Sequence, residues 1–107
     1  MAQFDVYANP IANARRAYPF VVAMQSDFTV NGTEQLVAPI APLGPIEPGQ
    51  TTARRVMPVV ALGGNEHIVL VPRLTVMRSK DLLEKVNSIA TARTELLAAV
   101  DYLFFGV

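Results

Sequence analysis

Turn-forming residues divide most of this chain into apolar segments of seven residues or fewer, and this pattern restricts its fold most. Turns are predicted at Asn9-Pro10, within residues 26–32 and at residues 63–66. The segments between them are rich in β-branched and aromatic side chains and are predicted to be strands: residues 3–7, 18–24, 35–41, 56–62 and 67–71. The sequence therefore predicts a mainly antiparallel β protein, in which residues 56–71 form a compact hairpin.

Two segments do not fit the strand pattern. Residues 42–54 concentrate proline and glycine, which interrupt helices and sheets alike, so this segment is predicted to be a loop. Residues 74–77 look extended, whereas residues 80–85 have good helix propensity. The sequence leaves the boundary between these two structures open.

The last twenty residues have the period of a helix. Apolar side chains recur at helical spacing at Ile89, Ala92, Leu96, Val100 and Leu103. Ser88 or Thr91 is predicted to supply the N-cap hydroxyl, and Gly106 lies where the helix should end. With 107 residues, the chain is expected to form a single domain spanning residues 1–107.

The C-terminus is the least ordinary segment, because Tyr102, Phe104 and Phe105 lie close together at its end. One face of a helix cannot bury all three rings, since successive residues are rotated by about 100° around the helix axis. At least one ring is therefore predicted to be exposed or covered by another molecule. Packing within a dimer and a partner-binding tip are both compatible with this pattern.

The composition excludes several classes of function. Hydrophobic residues make up 51% of the chain and charged residues 17%, which indicates a folded protein. The net charge is zero, so direct nucleic-acid binding is not expected. Cysteine is absent, which excludes disulfides and thiolate metal sites, and no cofactor or metal is expected. No signal-like start or membrane-length apolar run is found, so a cytoplasmic protein without membrane contact is predicted.

Few residues could support catalysis. His67 is the only histidine, and its position after a tight turn favours a surface or strand-pairing residue over a catalytic base. Gly63-Gly64 lacks the spacing of a phosphate-binding loop and is interpreted as a hairpin turn. The doublets Arg15-Arg16 and Arg54-Arg55 could be solvated loop charges, or could contact a partner's acidic residues or nucleic-acid phosphates.

Four short motifs, taken in order along the chain, resemble the CcdB family of plasmid and chromosomal toxins. They are Gln3-Phe4-x-Val6-Tyr7, Gln25-Ser26-Asp27, Pro58-Val59-Val60 before a glycine turn, and Phe104-Phe105-Gly106-Val107. The resemblance runs from end to end. It implies a mainly β fold, an SH3-like, partly open antiparallel barrel with a small extra sheet, and a C-terminal α-helix at the interface of a homodimer.

The resemblance also implies a function without catalysis by the chain itself. Members of this family bind the A subunit of DNA gyrase and trap its covalent complex with cleaved DNA, and a CcdA-like antitoxin neutralises them. The implied gyrase-binding residues are Phe28, Thr29, Asp101, Phe104, Phe105, Gly106 and Val107. Arg15 and Arg16 are the predicted antitoxin-binding residues. The chain departs from the family pattern at Phe28-Thr29, which replaces an aliphatic pair, at Asp101, which replaces asparagine, and at Phe105, which replaces tryptophan.

Two other functions remain open from the sequence. A ribonuclease toxin of similar barrel fold would need acid, base and phosphate-binding groups on one surface, for which His67 and the arginine doublets are the candidates. A CcdB-like binding module that no longer poisons gyrase is compatible with the departures at Thr29, Asp101 and Phe105. Incubation with total RNA would distinguish the first alternative.

Overall fold

The computed structural model describes residues 2–27, 32–44 and 53–106, which form seven strands and one α-helix. The strands are β1 (Asp5–Ala8), β2 (Phe20–Ala23), β3 (Glu34–Pro42), β4 (Val59–Leu62), β5 (Asn65–Val69), β6 (Thr75–Arg78) and β7 (Lys85–Ser88). The helix α1 (Arg93–Phe105) follows them. Single 3-10 turns form at Ala12–Ala14, Ala53–Arg55, Val71–Arg73, Ser79–Asp81 and Ala90–Ala92. The predicted mainly β fold with a C-terminal helix is thus confirmed.

All strands pair in one antiparallel sheet of order β4-β5-β3-β2-β1-β7, with β6 also paired to β3. The long strand β3 makes this branching possible. Residues 34–37 of β3 pair with β6 and residues 40–42 pair with β5, while β2 occupies its other side. Since β4 and β7 lie at opposite ends of this order and do not pair, the sheet is a curled, open half-barrel.

The alternation of side chains along the central strands produces two buried clusters. Val6 and Val22 face the larger cluster, which the helix closes with Leu96 and Ala99. The neighbouring residues Tyr7 and Val21 point to the other face and pack in a smaller cluster with Ala23, Val37 and Leu82. Successive side chains of a strand point to opposite faces of the sheet. Both faces of β1 and β2 are covered by a cluster, which explains why these strands carry apolar side chains on both faces.

The hairpin of β4 and β5 has a tighter turn than the sequence predicts. Gly63 and Gly64 have φ angles of +60° and +83° and alone connect the strands, while Asn65 and Glu66 already belong to β5. Positive φ at both central residues is the requirement of a type I′ hairpin turn, and glycine meets it without steric cost. The hairpin itself, with Gly63-Gly64 as its turn, agrees with the prediction.

The segment between β6 and α1 does not form the helix that the propensity of residues 80–85 favours. Ser79–Asp81 forms a 3-10 turn, and the chain then enters β7. Strand β7 pairs with β1, and the Lys85 ammonium lies 3.3 Å from the buried Asp5 carboxylate. Pairing to the sheet therefore overrides the local helix propensity.

The helix begins later than predicted and ends where predicted. It begins at Arg93, and neither Ser88 nor Thr91 caps it, because Ala92 occupies the N-cap position. Ser88 instead accepts the Ala90 N–H through its hydroxyl at 3.3 Å. Gly106 ends the helix at φ +73°, and its N–H donates to the Tyr102 carbonyl at 2.9 Å. Within the described residues, no helix is long and apolar enough to cross a membrane.

Candidate protein-binding surfaces

The last turn of α1 exposes two aromatic rings. Leu96 is fully buried against the sheet, whereas Phe104 and Phe105 are 64% and 75% exposed. Their positions follow from the helix period, because Phe104 is rotated about 80° and Phe105 about 180° from Leu96 around the axis. The prediction that one face cannot bury all the aromatic side chains is confirmed. We call Asp101, Phe104, Phe105 and Gly106 the helix-tip surface, and all four are exposed.

The helix-tip surface continues along one side of α1. Leu97 lies seven residues before Phe104, which is two turns, so both side chains project from the same side of the helix. Leu97 and Leu103 are each 37% exposed. The helix is therefore apolar on more sides than its packing against the sheet requires.

Arg55 packs on this helix through a contact that the sequence did not reveal. Its guanidinium carbon lies 3.9 Å from the centroid of the Tyr102 ring, a short cation–π contact. Tyr102 is half-buried, and Arg55 is exposed. The two arginines of the second doublet therefore differ: Arg55 contacts the helix, whereas Arg54 is half-buried and makes no cation–π contact with a described residue.

The first two motifs of the sequence analysis are joined by hydrogen bonds. The Gln3 backbone N–H donates to the Asp27 carboxylate at 2.7 Å, and the Gln3 side-chain amide donates to the Met24 carbonyl at 3.1 Å. Arg93, at the start of α1, donates to the Gln3 side-chain oxygen at 2.9 Å. Gln3 thus connects the turn after β2 to the beginning of the helix. Phe28, Thr29 and Val107, three of the predicted gyrase-binding residues, lie outside the described residues.

A second surface lies beside the first arginine doublet. Arg15 and Arg16 are both exposed. The Arg15 Nε donates to the Asn9 carbonyl at 2.6 Å, and this hydrogen bond restrains the position of the Arg15 guanidinium. Arg15 borders a groove of about 650 Å³ whose other lining residues are Ala8, Pro10, Ile11, Val76, Met77, Arg78, Asp81, Leu83 and Glu84. We call it the basic-loop groove.

The basic-loop groove combines apolar and charged side chains. Ile11, Val76 and Leu83 are 49%, 54% and 85% exposed, which is unusual for aliphatic side chains grouped at one place. Arg78 pairs with Asp81 at 3.2 Å, and both side chains remain partly exposed. The groove therefore offers apolar contact area next to charged groups, as protein interfaces commonly do.

His67 does not have the surroundings of a catalytic base. It is buried in β5, its Nδ1 lies 3.0 Å from the Asn65 carbonyl oxygen, and its ring makes a T-shaped contact with the Phe20 ring. It borders a cavity of about 360 Å³, and no arginine is among the described residues that line this cavity. His67 pairs with Val60 in the hairpin, which agrees with its interpretation as a strand-pairing residue.

Titratable groups in the described part of the chain are mostly at the surface. Burial, and secondarily the negative charge of Asp5, raises the pKa of the Tyr7 hydroxyl above its usual 10.0. Across residues 2–27, 32–44 and 53–106, no group of three or more histidine, aspartate or glutamate side chains could hold a metal ion. What the described residues offer is therefore two apolar, partly charged surfaces suited to protein contacts.

Comparison with families of known proteins finds a match over most of the chain. The family model described as CcdB protein matches residues 3–106, almost the whole chain. No curated protein matches the chain. The matched range includes β1, the hairpin of β4 and β5, and all of α1.

Proposed function

We propose, from the premise that this chain belongs to the CcdB family, that it binds the A subunit of DNA gyrase and traps its cleaved-DNA complex. Membership of this family indicates that the chain is the toxin of a toxin–antitoxin pair. In this proposal the chain acts in the cytoplasm, catalyses no reaction itself and needs no cofactor. A CcdA-like antitoxin neutralises it.

The observation that carries the proposal is the exposure of Phe104 and Phe105 at the end of α1. Large aromatic side chains are typical anchors of protein interfaces, because they bury much apolar area at little conformational cost. Phe105 offers a π face to a cation of the partner, and Asp101 offers a carboxylate. Both groups are exposed, so a basic partner surface could engage them together. Phe28, Thr29, Gly106 and Val107 are proposed to complete this interface.

A cleavage assay with purified gyrase tests the proposal. Wild-type protein should cause linear, protein-linked DNA to accumulate, and the double variant Phe104→Ala/Phe105→Ala should not. Leu83→Ala is the matched control, because Leu83 is equally apolar and exposed but lies in the basic-loop groove. Wild-type protein that binds gyrase without stabilising cleaved DNA would support the binding-module alternative. Failure to bind gyrase at all would refute the proposal.

We further propose that the protein is a homodimer and that its half-barrel is related to SH3-like barrels, as the family implies. The partial exposure of Leu97 and Leu103, on two sides of α1, supports dimerisation, since both side chains would otherwise remain in contact with water. Phe105 is rotated about 80° from Leu97 around the helix axis, so it can remain accessible to gyrase when Leu97 is buried in a dimer.

We propose that the antitoxin binds at the basic-loop groove. A disordered segment that folds on binding needs apolar anchors to offset its ordering entropy, and Ile11, Val76 and Leu83 supply them. Arg15 and Arg16 would pair with acidic residues of that segment. The residues that line the groove fall within residues 8–15 and 76–84, so they are separate in sequence from the helix-tip surface.

The ribonuclease alternative has little support in the described residues. His67 is buried, and the arginine doublets do not line its cavity, so acid, base and phosphate-binding groups do not converge there. Incubation of the purified chain with total RNA tests this alternative directly, and RNA cleavage that is lost in His67→Ala would establish it.

A further inference from the structure

The Arg55 guanidinium is held in a fixed place beside the helix-tip surface. It is the last residue of the 3-10 turn Ala53–Arg55, and its guanidinium carbon lies 3.9 Å from the centroid of the Tyr102 ring. A long arginine side chain normally loses conformational entropy when it binds a partner. Stacking on Tyr102 restricts the Arg55 side chain beforehand, so the cation is already positioned in the free protein.

The Arg55 guanidinium has hydrogen-bonding capacity that the described part of the chain does not use. A guanidinium carries five N–H donors, and a cation–π contact occupies its face rather than these donors. Among residues 2–27, 32–44 and 53–106, no carboxylate forms an ion pair with Arg55. Glu95 and Asp101 are exposed on the same helix, yet neither forms that pair.

The position of Tyr102 places this cation next to the residues proposed to bind gyrase. Tyr102 precedes Phe105 by three residues, a rise of about 4.5 Å along the helix axis, and directly follows Asp101. The end of α1 therefore presents exposed aromatic rings and a carboxylate, with a restrained guanidinium beside them. This arrangement would favour a partner whose own surface carries an acidic group at the matching position.

We propose that Arg55 determines specificity at the helix-tip surface by pairing with a carboxylate of the protein that docks there. The inference rests on the proposed function, which makes that protein the gyrase A subunit. Two hydrogen bonds from a guanidinium to one carboxylate are directional, so this contact would fix the orientation of the partner as well as adding affinity. The Tyr102 ring supports the guanidinium from behind and takes no part in the pairing.

Titration of the purified gyrase A subunit at several salt concentrations tests this role. The proteins compared are the wild type, Arg55→Ala, Arg55→Lys and the control Lys80→Ala, which removes one exposed cation from the 3-10 turn Ser79–Asp81. Arg55→Ala should bind about tenfold more weakly and with a shallower dependence of affinity on salt. Arg55→Lys should keep the salt dependence but lose part of the affinity, because an ammonium cannot make the paired contact. Lys80→Ala should bind as the wild type does.

The outcomes separate this inference from the proposed function. If the wild type does not bind gyrase, both fail together. If the wild type binds and Arg55→Ala matches it in affinity and salt dependence, only the inference fails. An Arg55→Ala variant with weaker binding, an unchanged salt dependence and a lower thermal midpoint would show that Arg55 only packs on Tyr102, which also overturns the inference.

Discussion

Leu96 and Leu97 are neighbours in α1 but lie in opposite environments. Leu96 is fully buried in the larger cluster, and Leu97 is 37% exposed. Leu96→Ala should lower the free energy of unfolding by about 2–5 kcal/mol, because it leaves a cavity under the helix. Leu97→Ala should cost much less in the monomer. Urea unfolding of both variants at low protein concentration makes the comparison, and equal losses would contradict the packing described here.

Tyr7 provides a residue-scale prediction for pH. Its pKa is raised in the folded protein by burial and by Asp5, so above pH 10.0 the unfolded chain releases this proton first. The unfolded state then binds fewer protons than the folded state, and stability falls as the pH rises. Tyr7→Phe should lose stability less steeply than the wild type between pH 9 and about pH 11 in denaturant titrations. Parallel curves for the two proteins would show that Tyr7 does not contribute.

Individual contacts were the part of the structure least accessible from the sequence. The exposure of Phe104 and Phe105 follows from helix geometry and was predicted. The stacking of Arg55 on Tyr102 was not predicted, because the two residues are 47 positions apart in the sequence (102 − 55) and no local pattern connects them. The contact of Gln3 with Arg93 is equally remote along the chain. Such pairs depend on how the sheet brings distant segments together.

At the scale of elements, strands with clear turn signals were predicted well, and the segment from residue 80 to residue 92 was not. Lys80, Leu83 and Glu84 have good helix propensity, but β1 offers an unpaired edge that the segment joins as β7. The helix start moved for a related reason. Ser88 lies in β7, so it could not cap a helix that begins at Arg93. Tertiary pairing decided both boundaries, and local sequence carries no signal for it.

The basic-loop groove is the element at which antitoxin binding can be tested. The double variant Arg15→Glu/Arg16→Glu should weaken the complex with the antitoxin and flatten its salt dependence, because attraction to acidic residues is replaced by repulsion. Isothermal titration at several salt concentrations measures both effects. The variant should still bind gyrase, which serves as the control for folding. Unchanged antitoxin affinity across the salt range would remove the proposed role of these arginines.

For the whole molecule, the exposed apolar side chains of α1 predict self-association. Leu97 and Leu103 are each 37% exposed, so a dimer that covers them should form at micromolar concentration. Light scattering measures the mass directly. Leu97→Asp should shift the equilibrium toward monomers, since dimerisation would bury its charge. A wild-type monomer at micromolar concentration would contradict the dimer.

The architecture of the whole molecule was largely predictable from the sequence. Short segments between turns predicted the antiparallel sheet, and helical periodicity predicted α1. The branching of the sheet at β3 was not predicted, because β5 and β6 both pair with one nine-residue strand that the sequence shows only as an apolar run. The family was visible from four motifs, and the match over residues 3–106 confirms it.

We propose that the end of α1 binds gyrase, and we expect folding not to depend on it. The most direct measurement is gyrase A binding by the chain ending at Phe104, with thermal unfolding and antitoxin titration of the same protein as controls. Removing Phe105, Gly106 and Val107 deletes little of the core, since Phe105 is 75% exposed, so folding and antitoxin binding should persist. Gyrase affinity should fall by about 2 kcal/mol or more, roughly thirtyfold, and growth inhibition should be lost. A folded truncated protein that still binds gyrase and inhibits growth would show that the end of α1 is not the gyrase-binding site.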